Sequence, residues 1–234
     1  MNLREKYGEW GIILGATEGV GKAFAEKIAS EGMSVVLVGR REEKLQELGK
    51  SISETYGVDH MVIRADFAQS DCTDKIFEAT KDLDMGFMSY VACFHTFGKL
   101  QDTPWEKHEQ MINVNVMTFL KCFYHYMGIF AKQDRGAVIN VSSLTAISSS
   151  PYNAQYGAGK SYIKKLTEAV AAECESTNVD VEVITLGTTI TPSLLSNLPG
   201  GPAGEAVMKT AMTPEACVEE AFDNLGKSLS VIAG

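Results

Sequence analysis

Short β-branched runs alternate with longer amphipathic stretches along the whole chain, and this alternation restricts the fold more than any other feature. Runs rich in Val, Ile and Leu at Trp10–Leu14, Ser34–Gly39, His60–Asp66, Met85–Cys93, Gly136–Ser143 and Val179–Gly187 read as strands, with a seventh at Ser228–Gly234. Helical periodicity runs from about Gly19, over Glu42–Tyr56, roughly over Pro104–Ala131, and from Tyr152 to about Glu175. A last helix starts with Thr213 as N-cap and Pro214 at its first position. Strand–helix alternation implies a parallel sheet covered by helices on both faces. Met85–Cys93 is apolar enough to be buried on both sides. No linker, low-complexity stretch or close repeat divides the 234 residues. The expectation is one α/β domain over residues 1–234, a doubly wound parallel sheet.

Composition narrows the partners. The net charge of -9 argues against a sequence-independent grip on nucleic acid. Cys72, Cys93, Cys122, Cys174 and Cys217 are odd in number and scattered, with no C-x-x-C pair. They read as reduced thiols of a cytoplasmic protein, with no metal site. The N-terminal "MNLREKYGEWG" is too charged for a signal peptide, and no apolar run reaches membrane-spanning length, so a soluble chain is expected.

Three glycines follow the first strand, in "LGATEGVGKAF". Gly15 lets the chain turn, while Gly19 and Gly21 let backbone approach a ligand and helix pack on strand. The N–H groups at the helix start then suit a pyrophosphate. A tight structural turn is the alternative. The place after strand one of an alternating chain favours the dinucleotide reading, on a Rossmann-type sheet. The spacing is G-x-x-x-G-x-G, and no G-K-[ST] of a P-loop follows. Strand two ends "VGRREEK", with Arg40 and Arg41 where an NAD site typically carries an acid. An arginine there pairs with a 2′-phosphate, which favours NADP(H) over NAD(H); a solvated basic helix start is the alternative.

"YGAGK" places Tyr156 and Lys160 four apart, on one face of a helix. A phenol with its ordinary pKa of about 10 exchanges protons reluctantly at neutral pH. A neighbouring ammonium pulls that value down, so this pair is expected to move a proton to or from a substrate oxygen. Ser142 and Ser143 end the fifth strand, where a hydroxyl can donate to a carbonyl; ordinary turn chemistry is the alternative.

The glycine turn after strand one, a serine after strand five, and Tyr-x-x-x-Lys thirteen residues beyond Ser143 together resemble the short-chain dehydrogenase/reductase family over nearly the whole chain. The resemblance implies that Tyr156 is the general acid in ketone reduction. It implies that Lys160 lowers the phenol pKa and holds the nicotinamide ribose, and that Ser143 polarises the carbonyl. "MINVNVMTF" resembles the helix bearing the family's catalytic asparagine, which puts Asn115 in place to hold a proton-relaying water, with Asn113 as its neighbour and competitor. Asp66 and Phe67 match the pair that meets adenine. "LGTTIT" resembles P-G-x-x-x-T, keeping Gly187 and Thr191, with Thr191 on the carboxamide. The cofactor contacts implied are Gly15, Thr17, Glu18, Gly19, Val20, Gly21, Arg40, Arg41, Asp66, Phe67, Ala92, Tyr156, Lys160, Gly187, Thr189 and Thr191, with no metal. "GATEGVGKAFAEKIASEGMSVVLVGRREEKL" and "RADFA" are similar to the steroid dehydrogenase and 3-oxoacyl reductase branch. That branch is often membrane-anchored; this chain lacks the anchor, and no substrate is carried over from it.

Two positions depart from the family. Leu14 replaces its threonine, and Tyr90-Val91-Ala92-Cys93 replaces its N-N-A-G. The expectation is that strands one and four pack apolarly there instead of bonding. The chain also ends soon after its last predicted strand, so either the protein is short or the chain is a fragment. A largely apolar pocket is expected from Phe94, His95, Phe97, Thr145, Ile147, Tyr152 and a mobile lid within 190–212, which carries "LPGGPAG". The function implied is an NADP(H)-dependent oxidoreductase interconverting a hydrophobic ketone and its secondary alcohol, as a homodimer or homotetramer. A non-catalytic nucleotide sensor on the same fold is the other class; it predicts binding without turnover. An extended nucleotide-sugar epimerase needs G-x-x-G-x-x-G and a larger C-terminal part, and neither is here.

Overall fold

A computed structural model describes residues 2–198 and 200–233. The strands are β1 (Trp10–Leu14), β2 (Ser34–Gly39), β3 (His60–Arg64), β4 (Met85–Tyr90), β5 (Gly136–Ser143), β6 (Val179–Leu186) and β7 (Ser230–Ala233). They form one parallel sheet in the order β3-β2-β1-β4-β5-β6-β7. The helices are α1 (Leu3–Tyr7), α2 (Gly19–Ser30), α3 (Glu42–Tyr56), α4 (Cys72–Thr80), α5 (Trp105–Ile112), α6 (Phe119–Gln133), α7 (Ala154–Glu173), α8 (Pro192–Asn197), α9 (Pro202–Thr210) and α10 (Pro214–Asn224). This is the expected single-domain doubly wound α/β sheet. Pro199, within the expected lid, and Gly234, at the end of the expected seventh strand, lie outside the described residues.

Side chains alternate between the two faces of each strand, so each face carries its own core. Ile13, Val35, Leu37, Phe87 and Ile139 pack with Phe24 and Ile28 of α2, Leu45 of α3 and Val218 of α10. Ile12, Leu14, Val36, Val38, Met88 and Tyr90 pack on the other face with Ile76 of α4, Phe119 and Tyr126 of α6, and Ile163 of α7. Burial on both faces explains why β2 and β4 read as unbroken apolar runs.

Three differences from the sequence expectation concern the region around the site. Helix α4 forms the crossover between β3 and β4, with Cys72, Ile76 and Thr80 buried at helical spacing, and the sequence reading left it out. β4 stops at Tyr90 instead of Cys93, because the Val91 and Ala92 N–H groups both turn to the Leu14 carbonyl, at 2.9 and 2.8 Å. Strands one and four are therefore hydrogen-bonded here, contrary to the apolar packing expected: backbone amides serve where the family's side chains are missing. Thirdly, the long helix is interrupted. Residues Asn113–Thr118 form a π-helical segment between α5 and α6. Polar ties flank the widening: the Tyr90 hydroxyl donates to the Val114 carbonyl at 2.6 Å, and the Thr118 hydroxyl donates to the Phe67 carbonyl at 2.8 Å.

Candidate active site

Chain order reverses on either side of β1, and ligands of such sheets bind beyond the strand ends at that switch. A crevice of about 490 Å³ opens there, well within the range of ligand sites. Its floor is Gly15, Thr17, Glu18, Gly19 and Val20. Arg40, Arg41, Asp66 and Phe67 stand at one end, and His95, Ser143, Tyr156 and Lys160 at the other.

The floor requires its glycines for two different reasons. Gly15 has φ +104°, and a Cβ on it would lie 2.6 Å from the Ala92 nitrogen. Gly21 is beneath the crevice, not on its lining; a Cβ there would come within 1.9 Å of the Gly15 carbonyl oxygen. Glu18 precedes the twelve-residue α2 without capping it by its side chain, and no acid occupies the first turn. The exposed amides of that turn are open to an anion, which fits a pyrophosphate.

At the ribose end the two arginines differ. Arg41 donates to Glu18 Oε2 at 2.8 Å, with Lys44 Nζ 3.7 Å from the same oxygen, and these contacts hold the Glu18 carboxyl below its usual range. Arg40 is exposed and makes no hydrogen bond or ion pair among the described residues. Asp66 accepts from the Ala68 N–H at 3.1 Å, closing the turn that presents Phe67.

At the opposite end α7 presents Tyr156 and Lys160 on one face, with Lys160 Nζ 5.9 Å from the phenol ring centroid. The two serines separate. Ser142 is buried and donates to the Lys160 carbonyl at 2.9 Å, so its hydroxyl is spent inside the fold. Ser143 is half-buried, accepts from the Thr145 N–H at 3.3 Å and lies near enough to the Tyr156 phenol to oppose part of the effect of its burial. The Lys160 ammonium is only 2% exposed and donates to the Val141 carbonyl at 2.8 Å.

Burial sets the protonation states. It pushes Tyr156 above the ordinary phenol range, against the smaller opposing effect of Ser143, and it pushes Lys160 below the ordinary ammonium range. Lys160 is not among the groups that shift the phenol here, and the lowering expected from it is not seen. The lysine is itself desolvated and its charge is directed at the Val141 carbonyl. The phenol stays neutral, which is the proton-donating form.

The structure gathers Gly15, Thr17, Glu18, Gly19, Val20, Arg40, Arg41, Asp66, Phe67, Ala92, Ser143, Tyr156, Lys160, Gly187, Thr189 and Thr191 around one crevice. Two candidates lie behind it: Gly21, and Asn115, which is buried and does not line it. The Asn115 amide is spent on Phe94, accepting from its N–H at 2.9 Å and donating to its carbonyl at 2.7 Å. Asn113 instead donates to the Ala68 carbonyl at 3.4 Å. Thr191 accepts from the Leu194 N–H at 3.2 Å and so caps α8. Thr189 contacts the Gly187 carbonyl and the Cys217 sulfur. Sequence reasoning did not name Cys93 and Gln110, which also line the crevice. Cys93 stands where the family motif has its last glycine, a departure that marked the place; Gln110 carries no signal.

Residues 9–198 match the family model described as short chain dehydrogenase. The chain belongs to that family. It is 76% identical over 234 residues to a protein of Mediterraneibacter gnavus named 7beta-hydroxysteroid dehydrogenase, covering all of this chain and 89% of the relative. A protein of the same name from Collinsella aerofaciens is also 76% identical over the same shares. A solved structure from a study of 7beta-hydroxysteroid dehydrogenase stereoselectivity superposes with a TM-score of 0.97 at 76% identity, covering 100% of this chain and 90% of that one. The chain is an oxidoreductase acting on the CH–OH/C=O pair with a nicotinamide dinucleotide. The crevice fits that group: uncapped amides at its floor, a free cation at one end and a phenol at the other. Among the described residues no helix is long and apolar enough to cross a membrane.

Proposed function

We propose that this chain is an NADP(H)-dependent hydroxysteroid dehydrogenase that interconverts a 7-keto and a 7β-hydroxy steroid. The observation that carries the reading is the Tyr156 phenol, beside Ser143 and the buried Lys160 at one end of the crevice, in a chain 76% identical to proteins named for that activity.

The bound dinucleotide supplies or accepts a hydride at C4 of its nicotinamide. The chain's own residues handle the oxygen. Ser143 donates to the ketone oxygen and polarises it. Tyr156 gives its proton to that oxygen as negative charge develops there, and takes it back in the oxidising direction. Lys160, buried beneath the phenol, would contact the nicotinamide ribose with the donors that the Val141 carbonyl does not take. Asn115 acts through the backbone, fixing the Phe94 loop to the π-helical segment. Arg40 pairs with the 2′-phosphate, supported by its lack of any other partner among the described residues, while Arg41 shares its charge with Glu18. Asp66 and Phe67 would meet the adenine, and Thr191 would hold the carboxamide. Residues 190–212 form the lid. Ile190 N–H donates to the Met212 carbonyl at 2.8 Å and Met212 N–H to the Thr188 carbonyl at 3.0 Å, so that excursion is pinned at its base. A cytoplasmic homodimer or homotetramer completes the reading.

The test is turnover of a 7-ketosteroid by the purified chain, followed by loss of reduced-nicotinamide absorbance with NADPH and with NADH. The expected result is reduction with NADPH and kcat/KM at least about tenfold lower with NADH, the loss of one charge-assisted contact. Binding of NADPH with no turnover of any ketosteroid would refute the reading.

A further inference from the structure

His95 follows β4 in the loop that forms the wall beside the reaction centre. Its ring centroid lies 5.4 Å from that of Tyr156, at 52°, and 5.4 Å from that of Phe97, at 88°. The imidazole thus touches two aromatic rings at the crevice wall. Yet neither of its nitrogens has a hydrogen-bond partner among the described residues. Of the other three histidines, His60 bonds to the Ser53 hydroxyl at 2.6 Å and His108 to the Leu100 carbonyl at 3.1 Å, while His125, away from the crevice, stacks on Phe77 with ring centroids 3.7 Å apart. A half-buried polar ring left unpaired costs free energy unless a ligand pairs it.

The surrounding loops repeat the pattern. Thr96 Oγ1, Thr145 Oγ1 and Asn153 Oδ1 are buried with no partner. They belong to one neighbourhood. Gly98 N–H donates to the Tyr152 carbonyl at 2.9 Å, joining the His95 loop to the start of α7, and a Cβ on Gly157 would sit 3.0 Å from the Thr145 carbonyl oxygen. Asn153 occupies the N-cap position of α7 but makes no cap bond with its side chain. The loops around His95 therefore leave hydrogen-bonding capacity unused, and of these groups His95 is the one that lines the crevice.

Burial and the nearby Lys160 charge keep His95 below the ordinary imidazole range, so at neutral pH it offers one N–H and one lone pair. That combination matches a hydroxyl, which both accepts and donates. It does not match an anion, which needs donors only, or an ammonium, which needs acceptors only.

We propose that His95 determines substrate specificity by hydrogen-bonding a hydroxyl that the substrate carries a few bonds from its reacting carbon. The inference rests on the reading of the crevice as a ketone/alcohol site. The substrate class is then a hydroxylated hydrophobic ketone.

The experiment compares two 7-ketosteroids that differ by one hydroxyl near the ketone, reduced with NADPH by the wild-type chain, His95→Phe and His95→Asn. The wild type is expected to prefer the hydroxylated ketone by at least about tenfold in kcat/KM, mainly through KM. His95→Phe keeps an aromatic ring between Tyr156 and Phe97, and it should bring the preference close to unity. His95→Asn, which restores a donor and an acceptor, should recover part of it. NADPH affinity, read by nicotinamide fluorescence, reports whether each variant is folded. No preference in the wild type, an unchanged preference in His95→Phe, or an equal loss on both ketones in His95→Phe would each overturn the proposal. Wild-type failure on both ketones, with NADPH bound, would instead remove the functional reading and this inference with it.

Discussion

Replacing Glu182 by Gln should stabilise the protein, by an amount that grows as pH rises. Glu182 lies in the middle of β6, in register with Ile139 of β5. It is 0% exposed, and both carboxylate oxygens are buried without a partner. Desolvation pushes its carboxyl up to about 8, with no neighbouring charge contributing. Its folded-state value thus exceeds the unfolded value, so the folded state holds the proton more tightly. The proton therefore stabilises the folded state at pH below about 4.5, and that contribution declines as pH rises until the folded group ionises near 8. Each pH unit in that window costs about 1.4 kcal/mol, so roughly 3 kcal/mol has been lost by pH 7. Gln has nearly the same shape and never ionises. For a chain of this size the gain corresponds to roughly 6–12 °C in Tm. Thermal denaturation of both proteins from pH 5 to 8 is the assay. The gap in Tm should widen steadily across that range, and a gap independent of pH would refute the buried neutral carboxyl.

Arg40→Ala should raise the Kd for NADPH about tenfold or more and leave that for NADH within about twofold, whereas Arg41→Ala should do less to NADPH because Glu18 already shares that charge; isothermal titration reads both. Ser143→Ala should lower kcat by roughly a hundredfold through loss of the donor at the ketone oxygen. Ser142→Ala should instead cost about 1 kcal/mol of stability, from its buried bond to the Lys160 carbonyl; steady-state kinetics and denaturant titration separate the two. Gly21→Ala should destabilise the fold by about 1–3 kcal/mol and weaken the cofactor, since the new methyl meets the Gly15 carbonyl; denaturation and NADPH fluorescence report each.

The sheet was legible because period-two and 3.6-residue patterns alternate cleanly, and six of its strands begin where the pattern begins. The site was legible for a related reason. The residues that line the crevice cluster at strand ends, where Gly15, Arg40, Asp66, Ser143 and Gly187 each follow an apolar run. What the sequence hid is tertiary. The π-helical segment at Asn113–Thr118 arises among bonds from Tyr90, Asn115 and Thr118 to distant backbone, and no local pattern encodes those partners. Helix α4 is short and mostly polar, so its four buried positions, two of them threonines, were too few to stand out. The burial of the phenol and the ammonium was not legible, because spacing gives proximity but not burial. The four-residue separation puts Tyr156 and Lys160 on one face, while the desolvation that governs both comes from the elements packed around them.

The kcat/KM of Tyr156→Phe for ketone reduction, measured beside its NADPH affinity, addresses the proton donor itself. The variant keeps the ring and loses only the hydroxyl that faces Ser143. NADPH binding within about twofold of wild type and a loss of activity on the order of a thousandfold are expected. Activity within about threefold of wild type, with the cofactor bound normally, would place the proton source elsewhere and contradict the account.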